Sequence, residues 1–479
     1  MTWTPTEEQL AVVTAATSSP DNLLVSALAG AAKTSTLILL AEALPDVEIL
    51  ALAFNKKIAT EMQDRLPSNC TAKTLNGLGH STWQNAIGRR PAIDKDKGYK
   101  IFDELMQQLP AATRRRVHEG TGMGELMRLV AFGKQCGFIP TGHFEKGKRL
   151  LSTEEFFAHI DAKLDDVEIE LIIEATLESL RQGMKGQLDF DDQILLPTLF
   201  HGAFPRYPLV LVDEAQDLSA LNHATLRKLV GTRRLIAVGD SRQAIYGFRG
   251  AHEDSMAKLG EDFNMRELIL STSFRCPEAI VEHARWRAPH MKSAKPGGEV
   301  HTLSLWSSAD VPDHAFILCR NNAPLFHTAL RLLAAGRHVE LSNGDVAKQL
   351  LKVMQKFGDR NMPQMEVYAA IDSWAEKEKA KVKARAHGTI DDKVECMRLF
   401  AGQGDDLGGA LGYINHLINS SGTIKLLTVH KSKGLEADDI FLLDEDLIGD
   451  KDQEPNLRYV AITRAKQRLT YIYTKEYEI

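Results

Sequence analysis

Lys33 and Thr34 are the first residues whose types and spacing indicate chemistry. They close a run of small residues that contains Gly30, with an apolar run at 23–25 before it and a helix-like run at 37–44 after it. In a strand, loop and helix in this order, backbone N–H groups and the helix dipole face a phosphate, and lysine and threonine supply a charge and a metal-facing hydroxyl. The stretch predicts a nucleotide-phosphate cradle. Its lining residues would be Ala29, Gly30, Ala31, Ala32, Lys33, Thr34 and Ser35.

The cradle departs from its usual pattern at two positions. Ala27 and Ala32 stand where glycine is favoured, because glycine tolerates a positive φ and lets the backbone approach a ligand closely. If the backbone at Ala32 needs a positive φ, we expect the alanine to cost about 1 to 2 kcal/mol, and nucleotide affinity could be weaker. A small-residue turn before a core helix is the alternative interpretation of this stretch taken alone.

Asp213 and Glu214 supply the second half of the chemistry. They follow the apolar run 209–212, and open parallel sheets bind ligands at the carboxyl ends of their strands. Thr34 and Asp213 could hold Mg²⁺ between them, Lys33 could neutralise the β- and γ-phosphates, and Glu214 could orient and deprotonate a water. An isolated acidic pair would be an ordinary strand-end cap, but together with the upstream cradle it predicts an NTPase.

The elements that position these residues alternate between strands and helices, which indicates parallel sheets covered on both faces. A capped helix is expected from Thr6 to Ala16, and helical periodicity interrupts the α/β texture twice. We predict a first α/β domain over 1–79 and 189–266, a helical insertion over 80–188, a second α/β domain over 267–346 and 423–479 whose first strand lies at 268–270, and a small helical insertion over 347–422.

Composition fits a multidomain globular protein. The chain has 479 residues, 44% of them hydrophobic and 25% charged, and a formal net charge of −6. This charge argues against a protein that binds polyanions with its whole surface, but not against a local basic groove. The five cysteines are scattered without a Cys-x-x-Cys pair, which favours a reducing compartment and no zinc site. No signal peptide or apolar run of about 20 residues is visible, so we expect a cytoplasmic protein without a membrane span.

Six stretches resemble, in order, the motifs of superfamily 1 helicases of the UvrD, PcrA and Rep kind. Asp213-Glu214-Ala215-Gln216-Asp217 looks like their Walker B motif, and Ser273-Phe274-Arg275 looks like a motif of their second domain. The full set lies at 189–192, 213–217, 239–251, 273–275, 428–436 and 459–465. The resemblance implies an α/β fold with tandem RecA-like P-loop NTPase domains, each carrying a helical insertion. The second insertion would be reduced, because the distance from Arg275 to Thr428 is short for this family.

The resemblance also assigns nucleotide contacts. Gln9 would read the adenine edge, Phe274 would stack on the base and Glu436 would meet the ribose. Gln243 would sense the γ-phosphate of ATP. The arginine fingers, which stabilise charge on the transferring phosphoryl group, would be Arg275 and Arg464.

The implied track is single-stranded DNA, held by stacking of bases on aromatic side chains and by phosphate contacts. Stacking contributes about 1 to 3 kcal/mol per base. For each candidate contact, a core aromatic or a strand-end cap is the alternative. The candidates are Phe54, Asn55, Thr74, Asn76, Tyr246, Phe248, Arg249, Arg320, Asn321, Thr428 and His430.

Three functions are consistent with these residues. The first is an ATP-dependent DNA helicase that moves 3′ to 5′ on single-stranded DNA and opens junctions between single and double strands. The second is a DNA-dependent ATPase that clears proteins from single strands without unwinding. The third is a nucleotide-gated binding module with weak hydrolysis, against which the full hydrolytic set argues. RNA is a less favoured track, although stacking does not sense the 2′-OH, and protein partners are not indicated.

Overall fold

Two compact units make up the chain, which the computed structural model describes over residues 4–144, 149–245, 247, 254–342 and 344–474. The units comprise Met1–Leu28 with Ala32–Ser271, and Ala29–Ala31 with Thr272–Ile479. In the described residues each unit contains a six-stranded parallel sheet among helices, which confirms the predicted α/β class. None of the described helices has the length and apolar character needed to cross a bilayer.

The first unit opens with the predicted capped helix. The Thr6 hydroxyl accepts from the backbone N–H of Gln9, and the Gln9 side chain accepts from the backbone N–H of Thr6. The elements of this unit are α1 (Glu7–Ser18), β1 (Leu23–Ala27), α2 (Lys33–Glu42), β2 (Ile49–Ala53), α3 (Lys56–Arg65), β3 (Cys70–Thr74), α4 (Leu75–Ile87), β4 (Ala92–Ile93), α5 (Lys97–Gln108), α6 (Ala111–Glu119), α7 (Met123–Gln135), α8 (Thr153–His159), α9 (Asp166–Met184), β5 (Gln187–Leu188), α10 (Asp192–Leu199), β6 (Leu209–Val212), α11 (Ala220–Val230), β7 (Arg234–Gly239), α12 (Ser255–Asp262) and β8 (Arg266–Leu270).

The first sheet has the strand order β3-β2-β6-β7-β1-β8. Its central strands are apolar at every position that faces the helices, as in β2 and β6, where all residues are buried. The parallel register brings the carboxyl ends of all six strands to one edge. The residues that follow β1, β2, β6 and β7 therefore share that edge, where a doubly wound sheet binds its ligands.

Strand β8 corrects the predicted domain boundary. The sequence analysis gave 268–270 to the second domain, but Leu268 pairs with Val25 and Leu270 with Ala27 in the first sheet. The first unit therefore extends to Ser271. The prediction was wrong because β8 is an edge strand whose partner lies far upstream, and no local pattern identifies that partner.

The helices of the first insertion have an apolar cluster of their own. It is formed by residues of α5 to α9 and the segments between them, and Phe138 stacks on Phe156 with ring centroids 4.3 Å apart. A second cluster, which includes Trp83, Leu180 and Leu195, joins α9 to α4 and α10. The insertion is thus packed firmly against the elements that flank the first sheet.

The second unit repeats the parallel architecture, with the strand order β11-β16-β15-β12-β14-β13. One continuous apolar cluster joins this sheet to the helices between 344 and 418. The elements are β9 (Thr272–Ser273), α13 (Glu278–Ala284), β10 (Lys292–Ser293), β11 (Glu299–Leu303), β12 (Phe316–Cys319), α14 (Asn322–Ala334), β13 (Val339–Leu341), α15 (Gly344–Met354), α16 (Gln364–Ala380), α17 (His387–Ala401), α18 (Leu407–Ile418), β14 (Ile424–Thr428), α19 (Val429–Ser432), β15 (Ala437–Leu443), α20 (Glu454–Ile462) and β16 (Ala465–Ile472).

Candidate functional site

The loop between β1 and α2 has the geometry expected of a phosphate cradle. Gly30 has a φ of 75°, and Ala32, the residue before the helix, has φ 56° and ψ 43°. Ala32 therefore has the positive φ for which an energetic cost was expected from the sequence. Because alanine carries a Cβ, this conformation costs about 1 to 2 kcal/mol. Helix α2 begins at Lys33, so its first N–H groups point toward the loop.

The cradle and the end of β6 meet in two direct contacts. Lys33 Nζ lies 3.1 Å from Glu214 Oε2, and Thr34 Oγ1 donates to Asp213 Oδ2 over 2.9 Å. Burial alone would lower the pKa of Lys33, but the negative charges of Glu214 and Asp213 outweigh it and hold the pKa above its ordinary value. The structure thus brings together the four residues that the sequence analysis assigned to phosphate, metal and water.

Thr34 and Asp213 present the oxygens that Mg²⁺ prefers. Magnesium is commonly held by one or two protein oxygens, with waters and substrate phosphates completing its octahedron, and a hydroxyl beside a carboxylate fits that pattern. Burial and the adjacent Glu214 charge raise the pKa of Asp213 to about 6. In the described part of the chain no group of three or more His, Cys, Asp or Glu residues could hold a metal ion.

Glu214 itself has a left-handed backbone, with φ 54° and ψ 43°. Its backbone N–H donates to Asp213 Oδ1 over 2.9 Å, and its carboxylate accepts from Gln216 Nε2 over 2.5 Å. A non-glycine residue in this region costs roughly 1 to 3 kcal/mol, and such strain is concentrated at functional sites. The turn after β6 therefore fixes the direction of the Glu214 carboxylate, although its backbone is strained.

The turn after β7 carries the predicted γ-phosphate sensor. Gln243 Nε2 donates to Asp240 Oδ2 over 2.9 Å, and both side chains are buried. Burial raises the pKa of Asp240, although the Lys33 charge opposes the shift. Gln216 accepts from the backbone N–H of Asp240 over 3.0 Å. Sequence reasoning missed Gln216, because its position in the 213–217 motif indicates no chemistry by itself.

Gln9 is buried and already bonded at both ends of its amide. Its Oε1 accepts from the Thr6 N–H, and its Nε2 donates to Thr36 Oγ1 over 3.0 Å. In this conformation Gln9 ties α1 to α2 across the base of the cradle. Its assignment as the adenine reader stays a prediction.

In the second unit, residues assigned to the nucleotide bind one another. Arg275 Nε donates to Glu436 Oε2 over 2.5 Å. The Arg464 side chain is only 1% exposed, and its guanidinium donates to the carbonyls of Val460 and Leu435. Phe274 is half-buried. The finger, ribose and base assignments stay predictions.

Four predicted nucleic-acid residues of the first unit lie at or just after the carboxyl ends of β2 and β3, namely Phe54, Asn55, Thr74 and Asn76. Phe54 is 52% exposed. Asn55 and Thr74 act as helix caps, whose side chains accept from the N–H groups of Ile58 and Gly77. Three further candidates, Tyr246, Phe248 and Arg249, lie outside the described residues.

Phe190 is an exposed aromatic residue that sequence reasoning did not select as a candidate. It is 66% exposed, and its carbonyl accepts from Asn76 Nδ2 over 3.0 Å. Together with Phe54 it lines a cavity of about 400 Å³, which reaches back to Asp213 and Glu214, and a neighbouring cleft of about 1250 Å³. An aromatic residue between aspartates before a helix start was the available signal.

A buried ion cluster fixes the turn at 189–191, here called the Phe190 turn. Lys134 donates to Asp189 over 2.5 Å and to Asp192 over 2.8 Å, and Lys97 donates to Asp192 over 2.6 Å. Burial would raise the pKa of Asp192, but the charges of Lys134 and Lys97 outweigh it and lower the pKa below its ordinary value. The two lysines belong to α7 and α5, so the cluster joins the helical insertion to the start of α10.

Arg320 is occupied by an acidic partner in the second unit. Its guanidinium makes a bidentate pair with Glu454, at 2.9 to 3.0 Å. Asn321 precedes α14 without a side-chain cap bond, Thr428 ends β14 and His430 lies in α19, each half-buried. A phosphate contact by Arg320 would require Glu454 to move away.

Comparisons with known proteins agree with this geometry. The family model described as the UvrD/REP helicase N-terminal domain matches residues 6–264, and the model described as the UvrD-like helicase C-terminal domain matches residues 413–476. With the two parallel sheets, these matches confirm the predicted fold class, α/β with tandem RecA-like units.

Individual relatives are similar over different shares of the chain. F-box DNA helicase protein 1 of Schizosaccharomyces pombe is 24% identical over 97% of this chain and 57% of its own length. ATP-dependent DNA helicase Rep of Escherichia coli is 28% identical over 49% of this chain and 35% of its own length. DNA helicase IV of Escherichia coli is 30% identical over 55% of this chain and 44% of its own length. The chain thus spans between about a third and somewhat over half of these relatives.

Proposed function

Because the chain belongs to the UvrD/Rep helicase family, we propose that it is an ATP-dependent DNA helicase that moves on single-stranded DNA. The observation that carries this proposal is the pair of contacts from Lys33 to Glu214 and from Thr34 to Asp213. They bring a phosphate-binding cation, a metal-facing hydroxyl and two carboxylates to one edge of a parallel sheet, as phosphoryl transfer requires.

Each side chain has a defined role in the proposed hydrolysis. Lys33 and the N–H groups at the start of α2 bind the β- and γ-phosphates, and in the free protein the Lys33 charge is neutralised by Glu214. ATP would take over Lys33 and release Glu214 to accept a proton from the attacking water. Magnesium, when bound at Thr34 and Asp213, would neutralise charge on the phosphate oxygens. Arg275 and Arg464 are proposed as arginine fingers on the family resemblance.

The exposed rings of Phe54 and Phe190 support a single-stranded track. Aromatic faces stack on any base, and they sit beside the polar groups of Asn55 and Asn76 at the sheet edge. One cavity is lined by both rings and by Glu214, which supports a track that runs beside the proposed hydrolytic carboxylate in the same unit. DNA stimulation of ATP hydrolysis is therefore expected.

Strand displacement on tailed duplexes tests the proposal. A 3′-tailed duplex should be opened in the presence of ATP and Mg²⁺, whereas 5′-tailed and blunt duplexes should remain closed. Stimulated ATP hydrolysis without opening of either tailed duplex would favour the second candidate, a translocase that clears proteins from single strands. ATP binding without DNA-stimulated hydrolysis would contradict both.

A further inference from the structure

Gln216 is a buried amide that bridges two loops of the candidate site. It is 1% exposed, its Nε2 donates to Glu214 Oε2 over 2.5 Å, and its Oε1 accepts from the backbone N–H of Asp240 over 3.0 Å. The orientation of the amide follows from its partners, because a backbone N–H can only donate and an ionised carboxylate can only accept. Both ends of the side chain are therefore used.

The surroundings leave Gln216 little freedom. Its short 3₁₀ turn, Ala215–Asp217, is held by Ser255 Oγ, which donates to the carbonyl of Ala215 over 2.7 Å. Gly239 leaves space for the Gln216 side chain. A Cβ at position 239 would lie 2.6 Å from Gln216 Oε1, closer than real Cβ contacts allow, and 3.1 Å from its backbone N, which is a tight contact.

The bridge connects two sets of residues that the proposed reaction uses. On one side, Glu214 contacts Lys33 at 3.1 Å. On the other, Asp240 accepts from Gln243 Nε2 at 2.9 Å. Gln216 links the turn after β6 to the turn after β7, and it does so through the carboxylate assigned as the base.

We infer that Gln216 is a positioning residue for ATP hydrolysis, which holds the Glu214 carboxylate in register with the Asp240–Gln243 turn. This inference rests on the proposed function, since it acts through Glu214. Glu214 has a strained, left-handed backbone and is not held by a regular helix or strand, so its carboxylate needs another support. The Gln216 amide supplies a fixed hydrogen-bond donor. When ATP draws Lys33 away, the Gln216 bond remains to aim the carboxylate.

Two substitutions separate the two ends of the amide. Gln216→Glu keeps an acceptor for the Asp240 N–H but replaces the donor to Glu214 with a negative charge. Gln216→Met keeps the length of the side chain and removes both bonds. For each we expect kcat for DNA-stimulated ATP hydrolysis to fall about 10- to 100-fold, the usual loss when a supporting contact of a reactive group is removed, while KM for ATP changes less than about threefold.

Gln364 provides the matched control. Its amide also donates to two groups, the carbonyls of Ala401 and Gly404, in the second unit. Gln364→Met should lower the midpoint of urea unfolding and leave kcat within about twofold of wild type, since the lost hydrogen bonds serve only packing. A general effect of deleting a hydrogen-bonded amide would move both variants alike.

A double-mutant cycle with Glu214→Gln tests whether Gln216 acts through Glu214. If it does, adding Gln216→Glu or Gln216→Met to Glu214→Gln causes no further loss of kcat. The inference is overturned if the Gln216 single variants keep wild-type kcat within about twofold, or if their losses add fully to that of Glu214→Gln. A wild-type protein without DNA-stimulated hydrolysis would instead refute the proposed function.

Discussion

Ala32→Gly should stabilise the protein, although glycine in place of alanine usually destabilises a fold. The left-handed backbone at Ala32, with φ 56°, costs an alanine about 1 to 2 kcal/mol. Glycine removes this cost but gives the unfolded chain more freedom, worth about 0.4 to 1 kcal/mol. We therefore expect a net gain of about 1 kcal/mol in the free energy of unfolding.

Ala31→Gly is the matched control one residue earlier. Ala31 has a negative φ, so glycine relieves no strain there and only the entropic cost and the loss of a buried methyl remain. This variant should be destabilised by about 1 kcal/mol. The two substitutions are chemically identical and adjacent, so the opposite signs isolate the backbone conformation.

Equilibrium urea unfolding followed by circular dichroism measures both variants against wild type. The left-handed backbone is part of the folded loop, so we expect its strain to affect folding and not the binding step. The Kd for ATP should accordingly change less than about threefold in Ala32→Gly. If Ala32→Gly is destabilising, or if its effect equals that of Ala31→Gly, the backbone at Ala32 is not strained in the folded protein.

Three further predictions concern the Phe190 turn. Burial and the nearby Asp189 charge raise the pKa of Asp191 to about 6, so the folded pKa exceeds the unfolded one and the free energy of unfolding falls as pH rises from about 4 to 6. Asp191→Asn should therefore stabilise the protein by about 2 kcal/mol at pH 7.5 but little at pH 4. Equal gains at both pH values would contradict this assignment. Lys134→Met should cost about 3 to 5 kcal/mol in urea unfolding by breaking a buried cluster, whereas Lys100→Met, at an exposed pair, should cost nothing measurable. Phe190→Ala should weaken single-stranded DNA binding about 5- to 150-fold by fluorescence anisotropy while Phe190→Trp retains it; unchanged affinity in Phe190→Ala would remove Phe190 from the track.

Local patterns predicted the elements that carry the chemistry. The capping box at Thr6, the strand before the cradle and the strand before Asp213 were all readable, because apolar spacing and capping side chains act within a few residues. The backbone conformation of Ala32 is also a local property, because it is determined by the loop that ends at α2.

Side chains that meet across the fold were not predictable in the same way. The pair of Arg320 and Glu454 joins residues far apart in sequence, and so does the contact of Lys134 with Asp192. The predicted domain assignment of strand β8 was wrong for the same reason, since its partner is determined by tertiary packing. Gln216 lay inside a recognised motif, but only the structure shows that its amide spans two loops.

One comparison decides whether Glu214 is the base of a DNA-stimulated ATPase. Steady-state ATP hydrolysis is measured with and without single-stranded DNA for wild type and for Glu214→Gln, which preserves the shape of the side chain. We expect strong DNA stimulation in wild type and its loss in the variant, with ATP binding retained through Lys33 and Thr34. Equal hydrolysis by the two proteins in the presence of DNA would contradict this role of Glu214.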